Sequence, residues 1–245
     1  MKTHPPRYNP APAMTIGHAT LARLAPLALA ATAAAAGVSD SARTFDAEAV
    51  GRPPAGFTFH VARDRTTPRW LIEREQTNGF LAHRGDAGHA GFSLALLATS
   101  APPDLSLSAR LRLSGGQRSG GIVWGVQDAD NYYLARLDLD RQDLALYRVT
   151  AGNRTRIEGE DDLELDPTAW HTLRIVQQEE SIRVYLGGIR VLRARDRTFN
   201  KGGRVGLWCA GDAVAHFDDL RVGALEPRAM RLEHKESNAD PRRGR

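Results

Sequence analysis

From Asp104 to Ser114 apolar and polar side chains alternate: Leu105, Leu107, Ala109, Leu111 and Leu113 share one parity, and Ser106, Ser108, Arg110 and Arg112 share the other. A period of two marks a strand with one wet face. Similar short segments recur at 57–62, 70–74, 92–98, 121–127 and 131–138, then at 144–149, 170–177, 182–186, 189–193, 204–209 and 216–222. Turn residues punctuate them. Ala151-Gly152-Asn153 and Glu179-Glu180-Ser181 each separate two strands, and Gly187-Gly188 between Tyr185-Leu186 and Ile189-Arg190 is a two-residue hairpin signature. No amphipathic helical stretch of ten or more residues follows residue 36. About a dozen short strands without crossover helices predict an all-β chain folded as an antiparallel two-sheet sandwich.

The N-terminal pattern differs. Leu24 to Ala36 (LAPLALAATAAAA) is uncharged, preceded by Arg23 and followed by Ser39, Asp40 and Ser41. That profile fits a signal peptide over 1–36, with an apolar centre of ordinary length ending in small residues and cleavage predicted near Ala36. A membrane-spanning helix needs ~20 apolar residues, so no span is expected after cleavage. Translation from Met14 would yield the same mature chain, and the competing reading is an Ala-rich cytosolic leader. Export to the periplasm or beyond is expected, with residues 37–43 as a linker, 44–224 as one domain and 225–245 as a disordered basic tail. Only Cys209 is available as a thiol, so no internal disulfide forms.

Charge narrows the partners. The chain carries 33 basic and 29 acidic side chains, a formal net charge of +4. The excess sits at the ends, and between Gly37 and Leu225 there are 24 basic and 25 acidic residues. A nearly neutral body without a clustered basic face argues against nucleic acid as a partner.

Four stretches together resemble a known architecture: Gly120 to Asp128 (GGIVWGVQD) with Asn131-Tyr132-Tyr133, Trp170 to Arg174 (WHTLR), Ile182 to Gly188 (IRVYLGG), and Gly203 to Trp208 (GRVGLW) running on to Asp212 and Phe217-Asp218-Asp219. In that order they look like the concanavalin A-like lectin/glucanase jelly rolls, nearest the bacterial laminin-G-like and 3-keto-disaccharide hydrolase (family 16-like) domains. The resemblance implies a jelly roll over about 44–223 and a glycan or glycoconjugate as partner. The keto-glycoside hydrolase pattern is not matched. Its Asn-Ser-Gly-Ile stretch reads Ser119-Gly120-Gly121-Ile122 here, and its Glu-x-Gln-Ile-x-Asp strand keeps only Asp138. The primary expectation is therefore binding rather than hydrolysis, with a glycosidase acting on 3-keto-glycosides or polysaccharide as the alternative and a protein-interaction module as the third reading.

Candidate residues follow from those readings. For hydrolysis, Glu160, Asp162 and Glu164 form a Glu-x-Asp-x-Glu series whose carboxylates would share a strand face at about 7 Å per step. The bland reading is a charged connecting segment. For binding, Trp124, Tyr133, Trp208 and Trp70 could lie under a sugar ring, with Asn131, Arg136 and His216 as planar hydrogen-bonding groups. Trp208 lies off the apolar parity of Val205, Leu207 and Cys209 and is the better exposed candidate. Core packing is the competing role for each aromatic. No cofactor is expected. Asp128 and Asp130 are weak calcium candidates better read as an Asx turn, and His83, Asp86 and His89 are weak metal candidates. Asp218 shares a parity with Leu220 and Val222, so it is expected to face inward as a structural anchor. Backbone N–H groups or an arginine would hold it, and Asp218→Asn would weaken the fold.

Overall fold

The computed structural model describes residues 42–61, 69–85 and 91–225. The predicted signal segment, most of the linker, the tail from Glu226, and Asp86 and His89 lie outside them. Fourteen strands follow one another: β1 (Phe57–Val61), β2 (Trp70–Glu75), β3 (Asn78–Arg84), β4 (Phe92–Ala101), β5 (Leu105–Gly115), β6 (Ser119–Asp128), β7 (Asn131–Asp138), β8 (Asp143–Thr150), β9 (Asn153–Glu160), β10 (His171–Gln178), β11 (Ser181–Leu186), β12 (Ile189–Arg195), β13 (Gly203–Ala210) and β14 (Val214–Ala224). Twelve lie where the alternation predicts strands; β3 and β9 are additional.

The strands form two seven-stranded sheets, ordered β1-β4-β13-β6-β7-β8-β9 and β12-β11-β10-β5-β14-β3-β2. Every pairing within them is antiparallel. Hairpins alternate with long returns that bring β13 between β4 and β6 and β14 between β3 and β5, the interleaved connectivity of a jelly roll. No helix among the described residues is long and apolar enough to cross a membrane.

The core lies between the sheets. On β5 the parity holds over the whole strand: Leu105, Leu107, Ala109, Leu111 and Leu113 are buried while Ser106, Ser108, Arg110 and Arg112 are half-exposed. Strands β6, β7 and β13 are buried almost throughout, so both of their faces are covered and alternation cannot tell which face meets the other sheet. The Trp124 indole fixes the direction by donating to Gln177 Oε1 of β10 at 2.6 Å. Tyr133 packs on Trp124 with ring centroids 5.4 Å apart, so it faces the core as well. Tyr132, Leu134, Arg136 and Asp138 of β7 therefore point out of the other face.

On β14 the expected parity is corrected by a bulge. Phe217 lies opposite Leu111 and faces the core, whereas Asp218 lies opposite Arg110 on the outer face. A register shift between Asp218 and Arg221, with Asp219 at φ 50°, returns Leu220 and Val222 to the interior. Asp218 is nevertheless 3% exposed, and its Oδ1 accepts the Asp219 N–H at 2.7 Å.

Candidate functional site

Register builds the site on the outer face of the first sheet. Residues directly opposite on antiparallel strands share a face, and one row runs His60, Leu94, Trp208, Gly121, Arg136, Ala145, Gly159 across β1, β4, β13, β6, β7, β8 and β9. The next polar row joins Ser119, Asp138 and Asp143. Gly121 leaves a gap between Trp208 and Arg136, and the position demands glycine because a Cβ there would come within 2.0 Å of the Ala135 carbonyl oxygen. Phe92 on β4 and Tyr132 on β7 are three strands apart, ~14 Å on a flat sheet, yet their ring centroids lie 6.1 Å apart.

A cleft of about 320 Å³ opens on this face, lined by Gln117, Ser119, Arg136, Asp138, Asp140, Arg141, Arg154 and Trp208. That is the size of a small ligand site, roughly 300–1,000 Å³. Arg136 is its floor: 6% exposed, with Nη2 donating to Asp143 Oδ1 and Oδ2 at 2.7 and 2.8 Å and lying 3.8 Å from Asp138 Oδ2. Asp138 Oδ1 accepts the N–H groups of Asp140 and Arg141, both at 3.1 Å, and Arg118 holds Asp140 through its Nε at 2.7 Å. Arg154 reaches in from edge strand β9. Its guanidinium carbon lies 5.0 Å from the Trp208 ring centroid and 5.3 Å from that of Tyr147, with Arg136 5.3 Å from the same tyrosine ring. Burial pulls the Arg154 pKa below its ordinary value, and the charge of Arg136 works in the same direction.

The site is set apart by its unsatisfied chemistry. Seven described side chains carry a buried polar atom with no hydrogen-bond partner. Three of these side chains, Ser119, Arg136 and Trp208, line this cleft with the unpartnered atom itself covered, and Tyr132 and Trp208 both pack on Phe92. Burial pushes the Tyr132 phenol up. The charge of Arg154 and, after it, the Trp208 indole pull the other way. Each unpartnered buried atom costs about 1 to 3 kcal/mol unless something hydrogen-bonds to it, so the arrangement is poor for stability. Two more open hollows, of about 400 and 570 Å³, contain none of these seven side chains.

The sequence candidates divide among different places. Trp208 and Arg136 line the cleft together. Trp208 faces away from Val205, Leu207 and Cys209 as its parity requires, but it is 3% exposed because Phe92 and Arg154 flank its ring. It is therefore not an open platform. Trp70, Trp124 and Tyr133 are corrected to the core. The Tyr133 hydroxyl donates to Asp196 Oδ1 at 2.5 Å, and burial pushes its pKa up to about 12. His216 is on the second sheet, where its Nδ1 accepts from Arg112 Nε at 3.2 Å beside Phe80, so it does not share a face with Trp208. Asn131 joins the β6–β7 turn. Its amide donates to Asp128 Oδ1 at 2.8 Å, which also accepts the Asp130 N–H at 2.8 Å in an Asx turn.

The carboxylate series does not share a strand face. Glu160 ends β9, Asp162 takes φ 59° in the following turn, and Glu164 lies beyond it, all exposed. His83 Nδ1 lies 2.8 Å from the Ala213 carbonyl, and no metal-holding group of three His, Cys, Asp or Glu exists among the described residues. Sequence reasoning missed Ser119, Arg154, Asp143 and Tyr132. They come from separate strands, and only the register brings them to one face.

The sequence matches no family model and no curated protein. Solved structures do match in fold. The carbohydrate-binding module CBM66 from Bacillus subtilis aligns at 20% identity with a TM-score of 0.56, over 69% of this chain and 96% of that one. A structure from work on endo-acting O-glycanases of human gut microbiota aligns at 13% identity and TM-score 0.53, over 76% and 98%. The Bacteroides ovatus xyloglucan PUL protein GH43B aligns at 17% identity and TM-score 0.55, over 76% of this chain and 40% of that one. The fold of this chain is thus an antiparallel two-sheet jelly roll of concanavalin A-like form, an architecture also found in a carbohydrate-binding module and in a structure from work on O-glycanases.

Proposed function

We propose that this chain is an exported carbohydrate-binding module whose ligand seats in the cleft between Trp208, Arg136 and Arg154. One observation carries the reading: a cleft of ligand size is lined by Trp208 together with polar and charged side chains, Arg136 and Arg154 among them. Sugars present dense hydroxyl groups that donate and accept, and such groups displace the water that otherwise satisfies a polar pocket. The fold neighbours support the same class of ligand, and the predicted signal segment would deliver the domain over 44–224 to a compartment where glycans are met. The exposed, separated positions of Glu160, Asp162 and Glu164 favour binding over hydrolysis, as does the departure from the 3-keto-disaccharide hydrolase pattern.

A glycan array followed by calorimetric titration of the purified protein tests this. Binding of at least one glycan at millimolar affinity or better is expected, weakened tenfold or more by Trp208→Ala with the fold retained. Failure to bind any sugar at millimolar concentration contradicts the proposal.

A further inference from the structure

The polar groups facing the cleft are unequal in sign. Its lining carries three arginines, Arg136, Arg141 and Arg154, against two acids, Asp138 and Asp140. The acids near by are already engaged: Asp143 by Arg136, Asp140 by Arg118, and Asp138 by two backbone N–H groups. Arg154 differs from its neighbours. Among the described residues it has no acid within ion-pair distance and no hydrogen bond, and aromatic rings alone hold its guanidinium. A cation that stands over two rings without a counter-ion is a ready anion site, because its five N–H donors stay free in a fixed plane. Arg136 and Arg154 both approach the ring of Tyr147, and both line the cleft.

We propose that the cleft selects an acidic sugar unit, a uronic or sialic acid, whose carboxylate seats against the Arg154 guanidinium in the cleft it lines with Arg136 and Trp208. This rests on the glycan-binding reading and adds the ligand class. Carboxylate is favoured over sulfate because its planar pair of oxygens matches a guanidinium edge. The body of the chain is nearly neutral, so the preference comes from the cleft rather than from long-range attraction.

The test is a matched titration of the purified protein with D-glucuronate against D-glucose, D-galacturonate against D-galactose, N-acetylneuraminate, the methyl esters of the acids, and glucose 6-sulfate. At least one acid is expected to bind tenfold or more tightly than its neutral counterpart, with the difference abolished by esterification. Arg154→Gln, on an exposed edge strand, is expected to keep the thermal midpoint and close most of that difference, and Arg154→Lys to restore part of it. Neutral sugars binding as tightly as the acids, or a difference that survives Arg154→Gln, would overturn the acidic-sugar inference while leaving glycan binding intact. Glucose 6-sulfate binding where the carboxylates do not would overturn the assignment to carboxylate. Absence of binding by every sugar and by a wider array would remove both readings.

Discussion

Asp218 is a buried acid with a single backbone donor, the Asp219 N–H, to hold its Oδ1. Burial raises its pKa, and the adjacent Asp219 charge adds to the rise. An acid whose folded pKa is raised contributes stability that is present below its ordinary range, near 4, and is lost as pH rises through the raised value. Near pH 7 the ionised form is therefore a liability of the fold. Asp218→Asn keeps the acceptor oxygen and removes the charge, so its thermal midpoint at pH 7 is expected to be unchanged or higher, against the loss that parity alone suggests. Asp218→Ala leaves the Asp219 N–H unpaired and is expected to cost about 1 to 3 kcal/mol. A lower midpoint for Asp218→Asn would show that the carboxylate is held by charge-assisted bonds. The other residues show how far parity reaches. It turns Trp208 away from the core correctly, yet it cannot reveal that Phe92 and Arg154 cover the ring, nor whether Tyr132 or Tyr133 faces outward on a strand buried on both sides.

At the scale of elements, strands with a continuous or alternating apolar run were readable, including β6, β7 and β13 that are buried on both faces, whereas β3 and β9 were not. Strand β5 alternates cleanly, and the Gly187-Gly188 hairpin takes φ values of 55° and 87°, the left-handed pair such a turn needs. Strand β9 (NRTRIEGE) is an edge strand with Ile157 its only apolar side chain, so nothing in it signals burial. Strand β3 was missed because its hairpin turns through Gln76 at φ 54°, where a glycine would have marked the turn. The site spans several strands, and β9, which supplies Arg154, was one of those missed. Gly121 ties strand pairing to the site. Gly121→Ala forces β6 away from the Ala135 carbonyl, which is expected to lower stability by about 1 to 3 kcal/mol and to weaken sugar binding by displacing Trp208 relative to Arg136. Gly188→Ala meets only the turn's positive φ and open space, so a cost of about 1 kcal/mol with unchanged binding is expected. Equal effects of the two substitutions on binding would separate Gly121 from the site.

Across the whole molecule, two histidines make stability fall on mild acidification. Burial lowers the pKa of His60 and of His216, with Arg204 and Arg112 respectively adding to the shift. A depressed folded pKa means that stability is full above the unfolded value near 6.5 and is lost as pH falls through the folded values, because the unfolded chain takes up protons that the folded chain resists. The carboxylates of Glu75, Asp140 and Asp196, whose pKa values are lowered through hydrogen bonds from Arg112, Arg118 and Thr198 despite the opposing effect of burial, add a second loss below about pH 4. Denaturant unfolding from pH 7.5 to 3.5 is expected to fall in these two stages, and His60→Gln with His216→Gln to flatten the upper one. A flat upper stage in the unmodified protein would show that neither histidine is held neutral by the fold.

The central claim places a glycan in the cleft of the first sheet, and the four tryptophans supply the direct measurement. Trp124 Nε1 donates to Gln177 and Trp70 Nε1 to Ser93, whereas Trp208 Nε1 has no partner and the Trp208 side chain lines the cleft. Indole N–H resonances are followed by nuclear magnetic resonance during titration with a sugar that binds. The account predicts that the Trp208 signal moves most while those of Trp124 and Trp70 stay in place. A saturable shift confined to Trp170, which packs beside His216 on the second sheet, would contradict it.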